Sequence, residues 1–261
     1  MIRVGIGGWV YAPWRGEFYP KGLPQARELE HASRHVTSIE INGTFYGSQK
    51  PESFRRWAAE TPDDFVFSLK APRFATHRRV LAEAGPSIER FFASGVGELK
   101  SKLGPILWQF APGKAFDPDD FAAFLELLPQ KLDGRAIRHA VEVRHESFLT
   151  PAFIALLRKR SVAVALIESD KHPLIPDITG DFVYARLQGT SEKLTTGYPP
   201  AALDAWATRA KTWEAGSAPD DLPALAGPPP KKAKRDVFLY LISGAKLRAP
   251  AAAMALLERL R

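Results

Sequence analysis

The sequence predicts a single α/β domain of the TIM type, a soluble (β/α)₈ barrel. Three observations support this. The chain has 261 residues, enough for one large barrel. Short apolar runs alternate with helical segments, which favours a parallel sheet, and the runs number eight, the count that closes a barrel. An open doubly wound sheet is the alternative, but Gly5-Ile6-Gly7-Gly8 lacks the spacing of a dinucleotide-binding loop.

The predicted strands are the apolar runs, and the predicted helices occupy most of the intervals between them. In chain order the strands are Ile2–Gly7, Val36–Asn42, Phe65–Lys70, Pro105–Phe110, His139–Arg144, Val162–Glu168, Phe182–Gln188 and Val237–Ile242. Several helices begin with proline or an acidic residue, as first helical turns often do. The helices are expected near Pro24–His35, Glu52–Glu60, Ser87–Lys102, Pro118–Leu128, Pro151–Arg160, Ala201–Trp213 and Pro250–Leu260.

Two segments depart from the alternation. The link Ser169–Asp181 is too short and proline-rich for a full helix, so we expect the helix between strands six and seven to be missing or degenerate. The composition of residues 216–235 predicts a Pro-rich basic surface insertion. We expect this insertion to belong to a single domain that spans residues 1–261. The insertion ends in Pro-Pro-Pro-Lys-Lys-Ala-Lys-Arg, which resembles a nuclear localisation or nucleic-acid patch, with a solvated surface loop as the alternative.

Composition narrows the function classes. The chain has no cysteine, which excludes disulfides, thiolate metal sites and thiol nucleophiles and fits a reducing compartment. No basic segment followed by an apolar run opens the chain, and no apolar stretch approaches the roughly 20 residues that cross a bilayer. We therefore expect a cytoplasmic protein with no membrane partner. The net charge of +7 favours anionic partners, including phosphorylated metabolites and nucleic acid.

Polar residues alternate with apolar ones inside several strands. In the second strand, Glu40 and Asn42 share one face while Ile39 and Ile41 share the other. The apolar face of a barrel strand packs on the helices, so the polar face should point into the barrel near its C-terminal mouth, where barrel active sites lie. A purely structural ion-pair network is the alternative. The same alternation groups Glu142 with Arg144, Ser68 with Lys70, Tyr184 with Arg186 and Gln188, and Leu166 with Glu168 and Asp170.

These positions supply candidate site residues. Carboxylates and imidazoles transfer protons, cationic side chains hold anions, and aromatic rings stack on sugars or bases. No HxH or HExxH spacing occurs, so we predict no metal ligands and no required cofactor. The predicted catalytic residues are Glu40, Glu142 and His77. The predicted substrate-binding residues are Trp9, Asn42, Tyr46, Lys70, Gln109, Arg144, Asp170, Arg186 and Gln188.

The segment EINGTFY at residues 40–46 resembles the DUF72 (YecE-like) family of uncharacterised proteins. Further similar motifs are KAP at 70–72 with His77, GPILWQF at 104–110, VEVRH at 141–145 and YARLQG at 184–189. The resemblance implies a TIM-type barrel but supplies no reaction. The family usually has histidine where this chain has Gln188, and residues 242–246 replace an Asn-rich stretch. If the family shares one chemistry, these departures imply that this member has altered or lost part of it.

Three functions fit the pattern. The first is an enzyme, of hydrolase type, that acts on a small anionic substrate containing phosphate or sugar by carboxylate acid/base chemistry. The second is a nucleic-acid-binding protein, motivated by the charge, the basic patch and the aromatic residues near the mouth. The third is a protein that binds a metabolite in the same pocket without catalysis.

Overall fold

The computed structural model describes residues 1–228 and 232–261, and these form a closed barrel of eight parallel strands. The predicted fold is confirmed. Strand β1 pairs with β10 on one side and with β2 on the other, which closes the sheet. Two short strands, β5 and β6, form an antiparallel hairpin apart from the barrel. In chain order the strands are β1 Ile2–Gly7, β2 Ser38–Ile41, β3 Val66–Lys70, β4 Leu103–Gln109, β5 Lys131–Leu132, β6 Arg135–Ala136, β7 His139–Glu142, β8 Ala163–Glu168, β9 Phe182–Leu187 and β10 Asp236–Leu241.

Helices surround the barrel. Proline occupies the first or second position of six of them (α3 and α5–α9), where its fixed φ suits the helix and its missing N–H needs no partner. None of the helices in the described ranges has the length and apolar character required to cross a lipid bilayer. The helices are α1 Glu28–Ser33, α2 Gly43–Tyr46, α3 Pro51–Glu60, α4 Arg73–Thr76, α5 Gly85–Ala93, α6 Pro118–Glu126, α7 Pro151–Arg160, α8 Pro200–Glu214 and α9 Ala249–Leu260.

One predicted helix is divided. The pattern predicts a single helix over Ser87–Lys102, whereas α5 ends at Ala93 and a 3₁₀ segment follows from Val96. Gly95 separates them with φ 104°, in the left-handed region that favours glycine. A Cβ there would lie 2.7 Å from Cα of Pro51, so glycine is required and the chain must turn.

The link between β8 and β9 contains no helix, as predicted. Part of the Pro-rich segment packs against this link instead. The carboxylate of Asp177 accepts hydrogen bonds from the backbone N–H groups of Leu225 at 2.8 Å and Ala226 at 2.9 Å. From α7, Arg158 donates to the carbonyl groups of Ala226 and Gly227. Two distant stretches of chain therefore satisfy each other's polar groups where a helix is absent.

The interior of the barrel is filled in layers. The rings of Tyr184 and Tyr240 lie 5.1 Å apart, and the hydroxyl of Tyr240 hydrogen-bonds to Ser38 at 2.7 Å and Ser68 at 2.6 Å. Gly5 leaves room for Tyr240, because a Cβ there would lie 3.0 Å from Cε1 of Tyr240 and 2.2 Å from the Ser38 carbonyl oxygen. The apolar residues of the opposite strand faces pack outward against the helices. The predicted alternation of β2, β3, β7 and β9 therefore places their polar faces inside.

Candidate functional site

Two buried carboxylates share one arginine at the C-terminal ends of the strands. Glu40 and Glu142 are each 0% exposed, and Arg186 is 3% exposed. Arg186 donates from Nε and Nη2 to the two oxygens of Glu40, at 3.1 and 3.0 Å, and from Nη1 to Oε2 of Glu142. Tyr184 donates its hydroxyl to Oε2 of Glu40 at 2.6 Å. A charge-assisted network thus joins β2, β7 and β9 across the barrel.

The remaining oxygen of Glu142 is also occupied. Its Oε1 accepts from Nε2 of Gln109 and from Nε of Arg144, both at 2.7 Å. Gln109 lies directly opposite Glu142 in the β4–β7 register. Burial alone raises the pKa of Glu142, but Arg186 and Arg144 outweigh that effect and the pKa lies below its usual range. Glu142 therefore stays ionised at neutral pH. We call Glu40, Glu142, Arg186, Tyr184 and Gln109 the closed cluster.

A cavity of about 670 Å³, the mouth cavity, opens above the closed cluster. Four cationic side chains contribute to its wall, and no carboxylate does so among the described residues. Glu40 and Glu142 lie beneath this wall rather than in it. The surface that a ligand meets is consequently electropositive, and the charges that balance it are buried. The four cations are Lys70, Arg144, Arg186 and Lys246.

Among the described residues, Lys70, at the end of β3, is the most deeply buried of these cations that forms no ion pair. It is 6% exposed, and Nζ lies 3.8 Å from the centroid of the Phe45 ring. Within residues 1–228 and 232–261, Nζ has no hydrogen bond and no carboxylate within ion-pair distance. Burial, followed by repulsion from Arg186, lowers the pKa of Lys70 to about 8.

The loop after β10 supplies the fourth cation. Ser243 and Gly244 both adopt positive φ, 67° and 56°. A Cβ on Gly244 would lie 2.4 Å from the carbonyl oxygen of Gln188, so this turn requires glycine. The turn leads to Lys246, whose Nζ lies 4.5 Å from the centroid of the Tyr11 ring. Burial lowers the pKa of Lys246.

The sequence identified residues 242–246 as a departure from the family pattern, but neither Ser243 nor Lys246 was among the predicted site residues, although both line the mouth cavity. The alternation that identified the other positions ends with the strand, so it carries no information about this loop. The available signal was its position after the last strand, where barrels often bind ligands.

Most of the predicted site residues come together at the mouth. Glu40 and Glu142 lie just below the cavity and are bonded to Arg186 and, for Glu142, Arg144 and Gln109. The predicted residues that line the cavity itself are Trp9, Asn42, Tyr46, Lys70, Gln109, Arg144 and Arg186.

Three predicted residues lie away from the cavity wall. His77 is exposed and reaches the site only through its ring contact with Phe45, at 5.5 Å between centroids. Burial, then the positive charge of Lys70, lowers the pKa of His77. Asp170 is exposed beyond the end of β8. Gln188 donates its backbone N–H to the carbonyl of Glu168 at 3.2 Å.

Strand β8 explains the position of Asp170. Its inward positions are Ala163 and Ala165, which pack among the interior residues of the barrel. Glu168 turns outward, where it accepts hydrogen bonds from Tyr198 and from the indole N–H of Trp206, the latter at 3.3 Å. The face that carries Glu168 is thus the helix side of the strand.

The donor set of the mouth suits an anion. Lysine, arginine and amide groups donate hydrogen bonds, and the nearby carboxylate oxygens already accept them. Among the described residues, no group of three or more histidine, aspartate or glutamate side chains is placed to hold a metal ion.

Comparison with known proteins agrees with this architecture. The family model described as "Protein of unknown function DUF72" matches residues 3–261. The chain belongs to the DUF72 family. The resemblance noted at residues 40–46 is therefore confirmed over nearly the whole domain.

Curated relatives of this DUF72 protein include YecE of Escherichia coli, which is 30% identical over 151 residues, 57% of this chain and 50% of that protein. YunF of Bacillus subtilis is 29% identical over 159 residues, 59% of this chain and 54% of that protein. Both carry the description UPF0759. The matched regions span about half the length of these relatives.

Solved structures of two family members share the fold. A DUF72 protein from Thermotoga maritima superposes with a TM-score of 0.77 at 20% identity, covering 100% of this chain and 99% of that one. A DUF72 protein from Enterococcus faecalis gives 0.70 at 15% identity, with 100% and 95% covered. These similarities support the barrel architecture.

Proposed function

We propose that this DUF72 protein is an enzyme that binds a small anionic substrate in the mouth cavity. The observation that carries the proposal is the charge of the wall, which presents four cations and, among the described residues, no carboxylate. Charge-assisted donors of this kind bind phosphate and carboxylate groups strongly. Arg144 uses only Nε toward Glu142, so its terminal nitrogens remain for a ligand.

The size and lining of the cavity support a phosphate- or sugar-containing substrate. A volume of about 670 Å³ lies within the range of small-molecule sites. Trp9 and Tyr46 add aromatic surface to the wall, and such surface stacks on sugar or base rings. A cationic pocket with aromatic walls fits a ligand that is charged at one end and ring-shaped at the other.

Proton transfer by Glu142 requires Arg144 to move. Every oxygen of the two buried carboxylates accepts a hydrogen bond. Arg144 is the most exposed partner, with 21% of its side chain accessible. In the proposed mechanism, a ligand anion draws Arg144 toward the cavity and frees the acceptor position that Arg144 occupies on Oε1 of Glu142, while Gln109 keeps its hydrogen bond to the same oxygen. Glu142 then acts as the general base through this freed position.

Binding of ribose 5-phosphate tests this function, with ribose as the uncharged control. Isothermal titration should give saturable binding of the phosphate ester only. Arg144→Gln should weaken it by about 10- to 100-fold, because one charge-assisted donor is lost. Arg55→Gln is the matched control, because Arg55 forms an exposed ion pair with Glu52 on helix α3. This variant should leave the affinity unchanged. Equal affinity for wild type and Arg144→Gln would contradict the proposal.

Nucleic-acid binding is a second candidate, favoured by exposed aromatic residues in the segments that follow β2 and β3. Tyr46 and Phe74 are 65% and 60% exposed, and the guanidinium of Arg73 lies 5.6 Å from the Phe74 ring centroid. Exposed aromatic rings beside cations bind single strands by stacking. The predicted basic patch contributes less to this argument, because Lys231 lies outside the described residues.

Fluorescence anisotropy with single-stranded DNA and RNA oligomers distinguishes the two candidates. Nucleic-acid binding should weaken steeply with salt and fall when Phe74 is replaced by alanine. Undetectable or salt-insensitive binding would exclude this candidate. A non-catalytic metabolite-binding role would instead show affinity for the phosphate ester without turnover.

A further inference from the structure

Lys70 differs from the other buried lysine of the barrel, Lys102. The two are similarly enclosed, at 6% and 8% exposed. Nζ of Lys102 donates to the carbonyl groups of Ala58 and Thr61, at 2.6 and 2.7 Å, and approaches the Thr61 hydroxyl at 3.2 Å. Lys70 has the Phe45 ring in place of such acceptors. The cation–π contact with Phe45 stabilises the charged form of Lys70 less than three oxygen acceptors stabilise that of Lys102.

The surroundings of Lys70 favour the neutral amine. The negative charges of Glu40 and Glu142 raise the pKa of Lys70, but both carboxylates are already paired with arginines, and burial with repulsion from Arg186 outweighs them. With a pKa near 8 instead of 10.5, Lys70 has about 300-fold more free amine at neutral pH than an ordinary lysine. A desolvated lysine beside other cations is the arrangement that activates an amine as a nucleophile.

Lys70 also lines the same cavity as the cations that would hold an anion. Arg144 and Lys246 belong to the same wall, and the positive charge of Arg144 also disfavours the charged form of Lys70. We infer that the Lys70 amine forms an imine with an aldehyde or ketone that carries an anionic group. This inference rests on the proposed function, because Arg144 and Lys246 hold that anionic group.

The step is balanced without an oxidant or reductant. The amine nitrogen attacks the carbonyl carbon, and the π electrons move to the oxygen, which takes a proton to give a carbinolamine. The nitrogen loses one proton as the carbinolamine forms and a second on dehydration. The carbon–oxygen single bond breaks, the oxygen leaves as water with two protons, and the nitrogen lone pair forms the C=N bond. Solvent in the open cavity exchanges the protons. Protonation of the imine returns the positive charge that Lys70 otherwise carries.

Reductive trapping tests the inference. The protein is incubated with glyoxylate, an aldehyde that carries a carboxylate, and with cyanoborohydride, and the modified lysines are identified by peptide mapping. We expect one carboxymethyl group on Lys70, introduced on the order of 10- to 100-fold faster than on exposed lysines at neutral pH. The rate at Lys70 should level off above its pKa of about 8, while exposed lysines keep gaining reactivity. Lys70→Arg, which keeps the charge, should abolish the rapid phase.

A second aldehyde separates this inference from the proposed function. Acetaldehyde has no anionic group, so Lys246→Gln should slow trapping of glyoxylate at Lys70 and leave trapping of acetaldehyde unchanged. Modification of Lys70 no faster than of exposed lysines, or faster modification of Lys246, would overturn the inference even if ribose 5-phosphate binds. Rapid trapping of both aldehydes without phosphate-ester binding would instead overturn the proposed anion site and leave the reactive amine established.

Discussion

The closed cluster and Lys70, in the wall of the mouth cavity beside it, differ in how completely their charges are compensated. In the closed cluster, each oxygen of Glu40 and Glu142 accepts at least one hydrogen bond. In the wall, Lys70 contacts an aromatic ring and has no acceptor among the described residues. Buried charges that are fully paired hold a structure in one arrangement, whereas an unpaired buried charge destabilises it and is typical of binding sites.

Removing the shared arginine should have the largest effect. Arg186→Met leaves two buried carboxylates without their principal counter-charge, so the free energy of unfolding should fall by about 3–5 kcal/mol. Urea denaturation measures this. The deficit should shrink as the pH is lowered, because the unpaired carboxylates then take up protons. A loss as small as that of the exposed-pair variant Arg55→Met would show that the closed cluster contributes little to stability.

Replacing Lys70 should change stability in the opposite direction. Lys70→Met removes a poorly compensated charge, and the free energy of unfolding at neutral pH should rise by about 2 kcal/mol. The pKa of Lys70 is lowered on folding, so the charged form is penalised below pH 8 and the penalty disappears as the pH rises toward 10.5. The gain over wild type should vanish over that interval. A Lys70→Met protein that is less stable than wild type at neutral pH would contradict this account.

The smallest expected effect compares two buried tyrosines. Tyr184 donates to the carboxylate of Glu40, whereas Tyr240 bonds only to the hydroxyls of Ser38 and Ser68. Tyr184→Phe should therefore lower the free energy of unfolding by about 2 kcal/mol and Tyr240→Phe by about 1 kcal/mol, since hydrogen bonds to charged groups are stronger. Thermal denaturation of the two variants tests this order. Equal losses would show that the hydrogen bond to the Glu40 carboxylate stabilises the fold no more than the bonds to the serine hydroxyls.

The sequence was sufficient to predict the barrel and several of the polar side chains that lie together at its C-terminal mouth. Alternation between apolar and polar residues identifies the inward face wherever one face is apolar, which is why Glu40, Lys70, Glu142 and Arg186 meet as predicted. In β8 the alternation fails, because the inward residues are alanines and both faces are apolar. Glu168 then faces outward toward Tyr198 and Trp206, donors that lie far away in the sequence.

The loop contacts could not be predicted for a different physical reason. Lys246 reaches the cavity because Ser243 and Gly244 turn with positive φ against the Gln188 carbonyl. That contact joins two strand ends and has no local signature. Likewise, Gly95 divides a predicted helix because Pro51 approaches it from another segment.

The tyrosine layer has a consequence for how molecules travel through the site. Tyr240, held by Ser38 and Ser68 and packed against the ring of Tyr184, fills the barrel directly beneath the closed cluster. A ligand that enters from the mouth therefore meets a floor, and it must leave by the way it came. A new ligand can then enter only after the previous one has left. The loop that carries Lys246 lies at this shared entrance.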